Sequence, residues 1–359
     1  MNYPPAKIKK MRELYSKTGE WLRGTGPESD IVISTRIRLA RNLANFPFLH
    51  RATEGQRKEV EKLVREKLKE ATLTKDLHYV KLSEVSSVDR LFLMERRLIS
   101  REHAGGDGER GVAFGKSETI SVMVNEEDHL RIQVIRSGFE LRDAWKTIDE
   151  IDNTLEEKLH YAFSPRFGYL TACPTNVGTG MRASVMMHLP ALGLAHHIEK
   201  VFNAVGKLGL VVRGIYGEGT QALGDLFQIS NQFTLGKSEV EILEIMEGVI
   251  PRIAGYERMA RKALITENKE QLEDRVWRSY GMLKVARMLS SEEAMHLLSQ
   301  VRMGVNLGLI NDVSMETLNE LFILTLPAHL QKLEGKEMEA SERNVIRASY
   351  VRKRLGAFQ

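Results

Sequence analysis

Cysteine is almost absent from this chain: among 359 residues there is one, Cys173. No intrachain disulfide can form, and no zinc site can be assembled from cysteine pairs. Long apolar runs are missing too. The longest, around Val185 to Ala195, is short, is broken by His188 and Pro190, and cannot span a bilayer. The opening Met1-Asn2-Tyr3-Pro4-Pro5 has no apolar signal segment. We therefore expect a protein of the reducing cytoplasm, with no membrane partner. An excess of one charge is lacking as well. The net charge of +4 is mild, whereas a nucleic-acid binder usually shows a stronger basic patch. There is no internal repeat, no low-complexity tract and no complete Walker motif.

What is present is an ordinary globular balance, 42% hydrophobic and 28% charged. The chain exceeds the size that one hydrophobic core usually serves, so two domains are expected. Residues 1–28 read as a polar N-terminal arm. Ile31 to Ile33 is a short apolar run leading into Ser34-Thr35-Arg36-Ile37-Arg38-Leu39-Ala40-Arg41. Residues 54–71 carry helical spacing, and the glycine-rich segment 100–111 reads as a mobile loop. Thr119 to Val124 and Leu130 to Ile135 are β-like around the polar turn Asn125-Glu126-Glu127-Asp128-His129. A long helix is expected from Leu141 through Phe163, then strands at 168–173, 183–189, 208–213 and 225–230. This predicts an α+β fold, a mostly antiparallel sheet flanked by helices, over residues 29–250. After about residue 240 no strand signal appears. Residues 251–359 are expected to be all-helical, with Ser290, Ser314 and Ser341 as caps and Pro251 as a place for a kink.

The arginines carry the first chemical signal. Arg36 and Arg38 stand two apart, so an extended segment points both to one face. Arg131 follows the acidic turn, Arg182 follows Gly178-Thr179-Gly180, and Arg213 opens Arg213-Gly214-Ile215-Tyr216-Gly217-Glu218. Forked guanidinium donors suit phosphate oxygens, and several converging could neutralise a triphosphate. Taken singly, each is more readily a surface or carboxylate-paired arginine; the glycine neighbours and strand-end positions shift the set toward phosphate. Gly178-Thr179-Gly180-Met181-Arg182-Ala183 fits a dinucleotide pattern, but a lone match without an acidic partner is weak. Glu127 in the acidic turn and Glu218 in its glycine-rich loop gain a purpose from a guanidinium substrate. Such a group is always charged and a poor nucleophile, so it must be held in line and relieved of a proton. The alternative for the acidic turn is a solvated loop. Cys173, before Pro174, is either an inert small hydrophobe or a thiolate near the arginines.

These blocks, together with Cys173-Pro174-Thr175-Asn176-Val177-Gly178-Thr179-Gly180-Met181-Arg182-Ala183-Ser184, resemble the phosphagen (guanidino) kinases. The resemblance covers roughly residues 30–240. It implies a catalytic domain like that of glutamine synthetase, with ATP and Mg2+ as cofactors and no protein metal site. It implies Glu127, Glu218 and Cys173 as catalytic residues. ATP would lie along Ser34, Thr35, Arg36, Ile37 and Arg38, then Arg131, then Arg182, Ala183, Ser184, Val185 and Met186, then Arg213, Gly214, Ile215, Tyr216, Gly217 and Glu218. Two positions that contact adenine in many members are not histidine here; they are Arg97 and Met186. Small-molecule members carry a helical domain before the first arginine block. Here that block begins at Ser34, and helical sequence follows residue 250 instead. Both features resemble the bacterial protein-arginine kinases. That subgroup implies a stress-response enzyme acting on arginine side chains of proteins, a homodimer through residues 251–359, a zinc-binding activator and a AAA+ protease as partners. It also implies a regulatory phosphoarginine pocket at Arg343, Asn344, Arg347 and Ala348, where Asn344 replaces an aspartate of the family pattern. The alternative for that segment is a solvated basic face. Two other functions stay open: a kinase of a free guanidino compound, and a non-catalytic phosphoarginine-binding adaptor.

Overall fold

The computed structural model describes residue 14, residues 18–214 and residues 222–356. Its centre is β1 (Val32–Arg41), the whole first arginine block as one strand. Strict alternation explains why it sits there. Ile37 and Leu39 are fully buried on one face, while Arg36 and Arg38 point to the other. Around it lie β2 (His78–Lys81), β3 (Gly111–Phe114), β4 (Ile120–Val124), β5 (Leu130–Ser137), β8 (Met181–His188), β9 (Leu210–Gly214) and β10 (Leu226–Asn231). The order across the sheet is β2-β3-β4-β5-β1-β8-β10-β9. Every neighbouring pair is antiparallel. A separate ribbon joins β6 (Phe163–Ser164) to β7 (Gly168–Tyr169).

The apolar face of this sheet packs on α1 (Glu54–Glu70), α4 (Leu141–Glu156) and the first half of the long helix α7 (Glu239–Glu267). Val60, Val64, Leu68, Ile148, Ile151, Leu155, Met246 and Ile250 supply that core. The polar face is walled at two ends. Over β3 and β4, a cluster with Val88, Phe92 and Leu93 of α2 (Ser87–Glu95) closes one end together with α3 (Arg101–Gly105). Ile135, Met186 and Leu226 meet the core of the C-terminal helices at the other. Between the two walls the arginines remain.

The sheet continues by α5 (Pro190–Leu194) and α6 (Ile198–Gly206). The C-terminal helices are α8 (Lys269–Val285), α9 (Ser291–Asn306), α10 (Met315–Leu324), α11 (Pro327–Glu334) and α12 (Ala340–Arg354). Buried Arg302 of α9 fastens them to the sheet. It donates to the Ser29 and Asp30 carbonyls, meets His188 Nδ1 at 2.9 Å and reaches Asn319.

Several expected elements end elsewhere, each for a local reason. The helix from Leu141 stops at Glu156, not Phe163, because residues 160–162 pair with residues 42–44 instead: Ala44 N–H donates to His160 O and Ala162 N–H to Asn42 O. The strand expected at 168–173 shrinks to Gly168–Tyr169. Asp128 takes the Ala172 N–H, and Pro174 offers none. Segment 100–111 is not all loop: Ser100 accepts the His103 N–H and opens α3, whose His103 and Ala104 are buried. Ser341 does not cap α12, which starts one residue earlier behind Glu339. Ser290 and Ser314 do cap α9 and α10. Helix α7 runs unbroken through Pro251 and across residue 250.

Candidate active site

Strand register brings the arginines together. Arg38 on β1 lies directly opposite Arg182 on β8, and opposite Gln133 on β5. Arg36 is paired with Ser184, and Arg131 sits opposite Ala40. Arg213 on β9 is paired with Gln228 on β10, itself opposite Met186 on β8. Period-2 alternation therefore sets Arg36, Arg38, Arg131, Arg182 and Arg213 on one face of five adjacent strands. Arg36 donates to Gln228 Oε1 at 2.8 Å. Among the described residues, Arg182 and Arg213 have no hydrogen-bonded carboxylate, and Arg38 Nε is buried with no partner. Like charges directly opposite are destabilising in a sheet. Burial, then Arg36, Arg131 and Arg182, push the Arg38 guanidinium well below its usual range. Burial, then Arg213 and Arg131, lower Arg182 as well. A guanidinium does not escape by losing its proton, so this face is built for an anion.

The acidic turn stands at the rim. Glu126 is buried; its Oε1 accepts from Arg131 at 2.7 Å and from Ser100 Oγ at 2.6 Å. Glu127 Oε2 accepts from the other arm of Arg131 at 3.1 Å and is otherwise open to solvent. Burial raises the Glu127 carboxyl above its ordinary value; Arg131 opposes this, while Asp128 and Glu126 add to it. Asp128 is a latch. Its Oδ1 accepts from Asn42 at 2.6 Å and from the Ala172 N–H at 2.7 Å, tying the strand end to the loop before Cys173. The Cys173 sulfur lies 3.0 Å from Thr175 Oγ1. Arg38, Arg131, Arg182, Arg213, Glu127 and Cys173 all line one open cavity of about 480 Å3.

Not every expected residue reaches it. Thr35, Ile37, Ala183 and Val185 are fully buried on the opposite face, and the Thr35 hydroxyl donates to Gly138 O. Ser34, Arg97, Ser184 and Met186 line a small adjoining pocket with Arg36 and Gln228. Gly214 ends β9, whereas Ile215, Tyr216, Gly217 and Glu218 lie outside the described residues. The Gly178–Gly180 turn does not open a dinucleotide loop, because a strand follows it rather than a helix. Its glycines serve close packing: a Cβ on Gly180, where φ is +64°, would sit 2.6 Å from the Ala40 carbonyl. Two shorter Gly-Lys-Ser runs, at residues 115–117 and 236–238, are no phosphate loops either. The first turns between β3 and β4, and the second ends in Ser238, the cap of α7. Arg41, the third arginine of the first block, points away. It is clamped by buried Asp152 and stacked 3.5 Å over Tyr169.

Residues 59–260 match the family described as ATP:guanido phosphotransferase, C-terminal catalytic domain. The match spans more than half of the chain. The chain belongs to the ATP:guanido phosphotransferase family. Residues 269–359 of this guanidino phosphotransferase match the protein-arginine kinase McsB C-terminal domain. A protein named protein-arginine kinase from Halothermothrix orenii is 49% identical over 96% of this chain and 99% of its own length. A namesake from Symbiobacterium thermophilum is 48% identical over the same shares, 96% and 99%. Among solved structures, the substrate-free duplicated taurocyamine kinase from Schistosoma mansoni superposes with a TM-score of 0.58 at 26% identity. That superposition covers 74% of this chain and 39% of the duplicated enzyme. A lombricine kinase gives a TM-score of 0.58 at 27% identity over 68% of this chain and 69% of its own.

The C-terminal residues singled out in the sequence are close together in this phosphotransferase but unequal in exposure. Arg347 is buried and its donors are spent on Thr325 O, Leu289 O, Asn344 Oδ1 and Ser291 Oγ. Burial, then Arg343, bring its pKa down to about 10. Ala348 is a core residue. Arg343, half-buried, donates to Met338 O. Sequence reasoning passed over Glu126, the buried partner of Arg131; its only signal was its place beside Glu127.

Proposed function

We propose that this guanidino phosphotransferase moves the γ-phosphoryl group of Mg-ATP onto the guanidinium of arginine side chains in proteins. The observation that carries the reading is the shared cavity: it is lined by Arg38, Arg131, Arg182 and Arg213 and also by Glu127 and Cys173. The first set suits a triphosphate and the second suits a cationic acceptor. Arg36, Arg38, Arg131, Arg182 and Arg213 hold the phosphates, and their preset donors stabilise charge spreading over the transferred group. Glu127 grips the acceptor guanidinium and takes its proton. The nitrogen then forms the N–P bond as the bond from γ-phosphorus to the bridging oxygen breaks, and ADP leaves with the electron pair. A raised carboxyl pKa makes Glu127 a stronger base than an ordinary glutamate. Cys173 and Glu218 complete the anionic side. Magnesium arrives with the nucleotide, since the ion takes phosphate and water ligands readily. When bound it neutralises phosphate charge. We assign the small pocket that Ser34, Arg97, Ser184 and Met186 line beside Arg36 to the base side of the nucleotide.

The relatives' name supports a protein acceptor over a free guanidino compound. The wider reading takes residues 251–359 as a dimerisation and regulatory unit in a cytoplasmic stress-response enzyme, with a zinc-binding activator and a AAA+ protease as partners. Arg343 and Asn344 are its phosphoarginine contacts; Arg347 and Ala348 support them from below. The test incubates the full chain with Mg-ATP and casein, followed by mass spectrometry under neutral conditions that preserve P–N bonds. Acid-labile phosphate on arginine, lost with Glu127→Ala, is the expected result. Phosphate on free arginine alone would replace the reading with a small-molecule kinase. Phosphoarginine binding with neither product would replace it with an adaptor.

A further inference from the structure

A second cleft, of about 380 Å3, opens on the other side of the acidic turn and shares Glu126 and Glu127 with the arginine-lined cavity. Glu127 therefore stands in the wall between two spaces. One is lined by Arg38, Arg131, Arg182 and Arg213 beyond the glutamates at its rim. The other is bounded by Leu49 and His50 after β1, by Arg57 of α1, by Asp107 and Glu109 of the loop before β3, and by Asn125. Its carboxylates are unequally engaged. Asp107 is exposed, and among the described residues the Glu109 carboxylate pairs with Lys81 alone, at 3.7 Å. The two arginines of the cleft are directed to main-chain oxygens: Arg57 to Leu49 O at 2.7 Å, and Arg110 to Glu102 O at 2.9 Å. Asn125 is buried and fixed by its amide group, which donates to Arg57 O and Glu109 O at 2.8 Å each. That leaves its Oδ1, a buried atom of this lining residue, without a donor among the described residues.

We infer that this cleft receives the stretch of substrate protein on either side of the acceptor arginine, and that Asp107 and Glu109 select basic neighbours there. The inference rests on the proposed kinase reading. An arginine that approaches Glu127 from the phosphate side would have to pass a wall of like charges. From the cleft side it meets carboxylates along its path, and Leu49 offers an apolar surface for its methylene stem. A main chain that follows the arginine in brings its flanking residues past Asp107 and Glu109. Half-exposed ion pairs are modest and screened by salt. Each basic neighbour should therefore raise kcat/KM about three- to fivefold at low ionic strength, and less at high.

The experiment uses the full chain, Mg-ATP and three peptides with a single arginine flanked by lysines, alanines or glutamates. Phosphoarginine is quantified by mass spectrometry under neutral conditions. The same peptides are then run with Asp107→Asn/Glu109→Gln and with Asp107→Lys. The expected order for the unmodified protein is lysine over alanine over glutamate. The double variant should flatten that order, and Asp107→Lys should move it toward glutamate. Equal use of the three peptides, or an order unchanged in both variants, overturns the inference while leaving the kinase reading in place. Absence of phosphoarginine on every peptide overturns the kinase reading itself.

Discussion

Replacing Arg38 by methionine separates two properties that usually move together. Arg38 stands opposite Arg182, with Arg36 and Arg131 close enough to lower it further. Residues paired across antiparallel strands have Cβ atoms about 5 Å apart, and long side chains can splay their charged ends to roughly 7 Å. At an effective dielectric constant of about 20, that repulsion amounts to roughly 2 kcal/mol from Arg182 alone. Methionine fills much of the same space, and the Nε it removes has no partner to leave behind. Poorer fit offsets part of the gain, so the protein without nucleotide should become more stable by about 1–2 kcal/mol. For a folding unit of this size, that raises Tm by roughly 2–6 °C. Nucleotide use should suffer in the opposite direction. Loss of one preset cationic donor to a phosphate lowers kcat/KM by about 100- to 1,000-fold. Initial rates read the loss in kcat/KM, and differential scanning calorimetry with and without Mg-ATP reads stability and nucleotide binding, since a ligand that binds only the native state raises Tm with its concentration. A Tm below that of the unmodified protein without nucleotide, or an undiminished rise with Mg-ATP, would refute the argument that this face carries unpaired charge intended for phosphate.

Glu127→Gln should lower phosphoryl transfer by about 100- to 10,000-fold with nucleotide affinity retained, measured by single-turnover transfer and by nucleotide titration. The unmodified enzyme should lose activity as the pH falls through the raised Glu127 pKa, so its acid limb lies above the roughly 4.3 of a free glutamate, and that limb should vanish from the residual activity of the glutamine variant. Gly180→Ala should cost about 1–3 kcal/mol in urea unfolding, because φ is +64° and the added Cβ meets the Ala40 carbonyl of a fixed central strand; an unshifted midpoint would show that the turn relaxes freely. Arg347→Met should destabilise by about 3–5 kcal/mol, since Thr325 O, Leu289 O, Ser291 Oγ and Asn344 Oδ1 all lose their donor. A stable Arg347→Met protein that merely fails to respond to phosphoarginine would instead make Arg347 a ligand contact.

Much of the site was legible because a strand has a period of two. Arg36 and Arg38 had to share a face once their segment was extended, and the acidic turn had to stand beside Arg131. The glycine turn was legible as a turn but not in its purpose, since the carbonyl that excludes a side chain at Gly180 comes from a strand far away in sequence. Residues counted as nucleotide contacts by their place in a motif divided into two sets. Ser34, Ser184 and Met186 face the arginine side, while Thr35, Ile37, Ala183 and Val185 face the core. A motif names a stretch of chain, whereas alternation assigns every second residue of it to the opposite face.

The sequence alone determined the chemistry available here: arginines in extended segments, acids in one turn, a lone cysteine before a proline, and a helical end without strands. These follow from residue type and local periodicity, which need no partner. The tertiary structure decided which arginines share one cavity and which are tied to other parts of the fold. Arg38 and Arg182 face each other because β1 and β8 are neighbours in that register. Arg41 and Arg347 look the same in the sequence, yet one is clamped by Asp152 and the other by carbonyls and side-chain oxygens of distant segments. A guanidinium becomes a ligand site only where the fold supplies no other acceptor, and that is settled by the order of strands and the packing of helices, not by the residue itself.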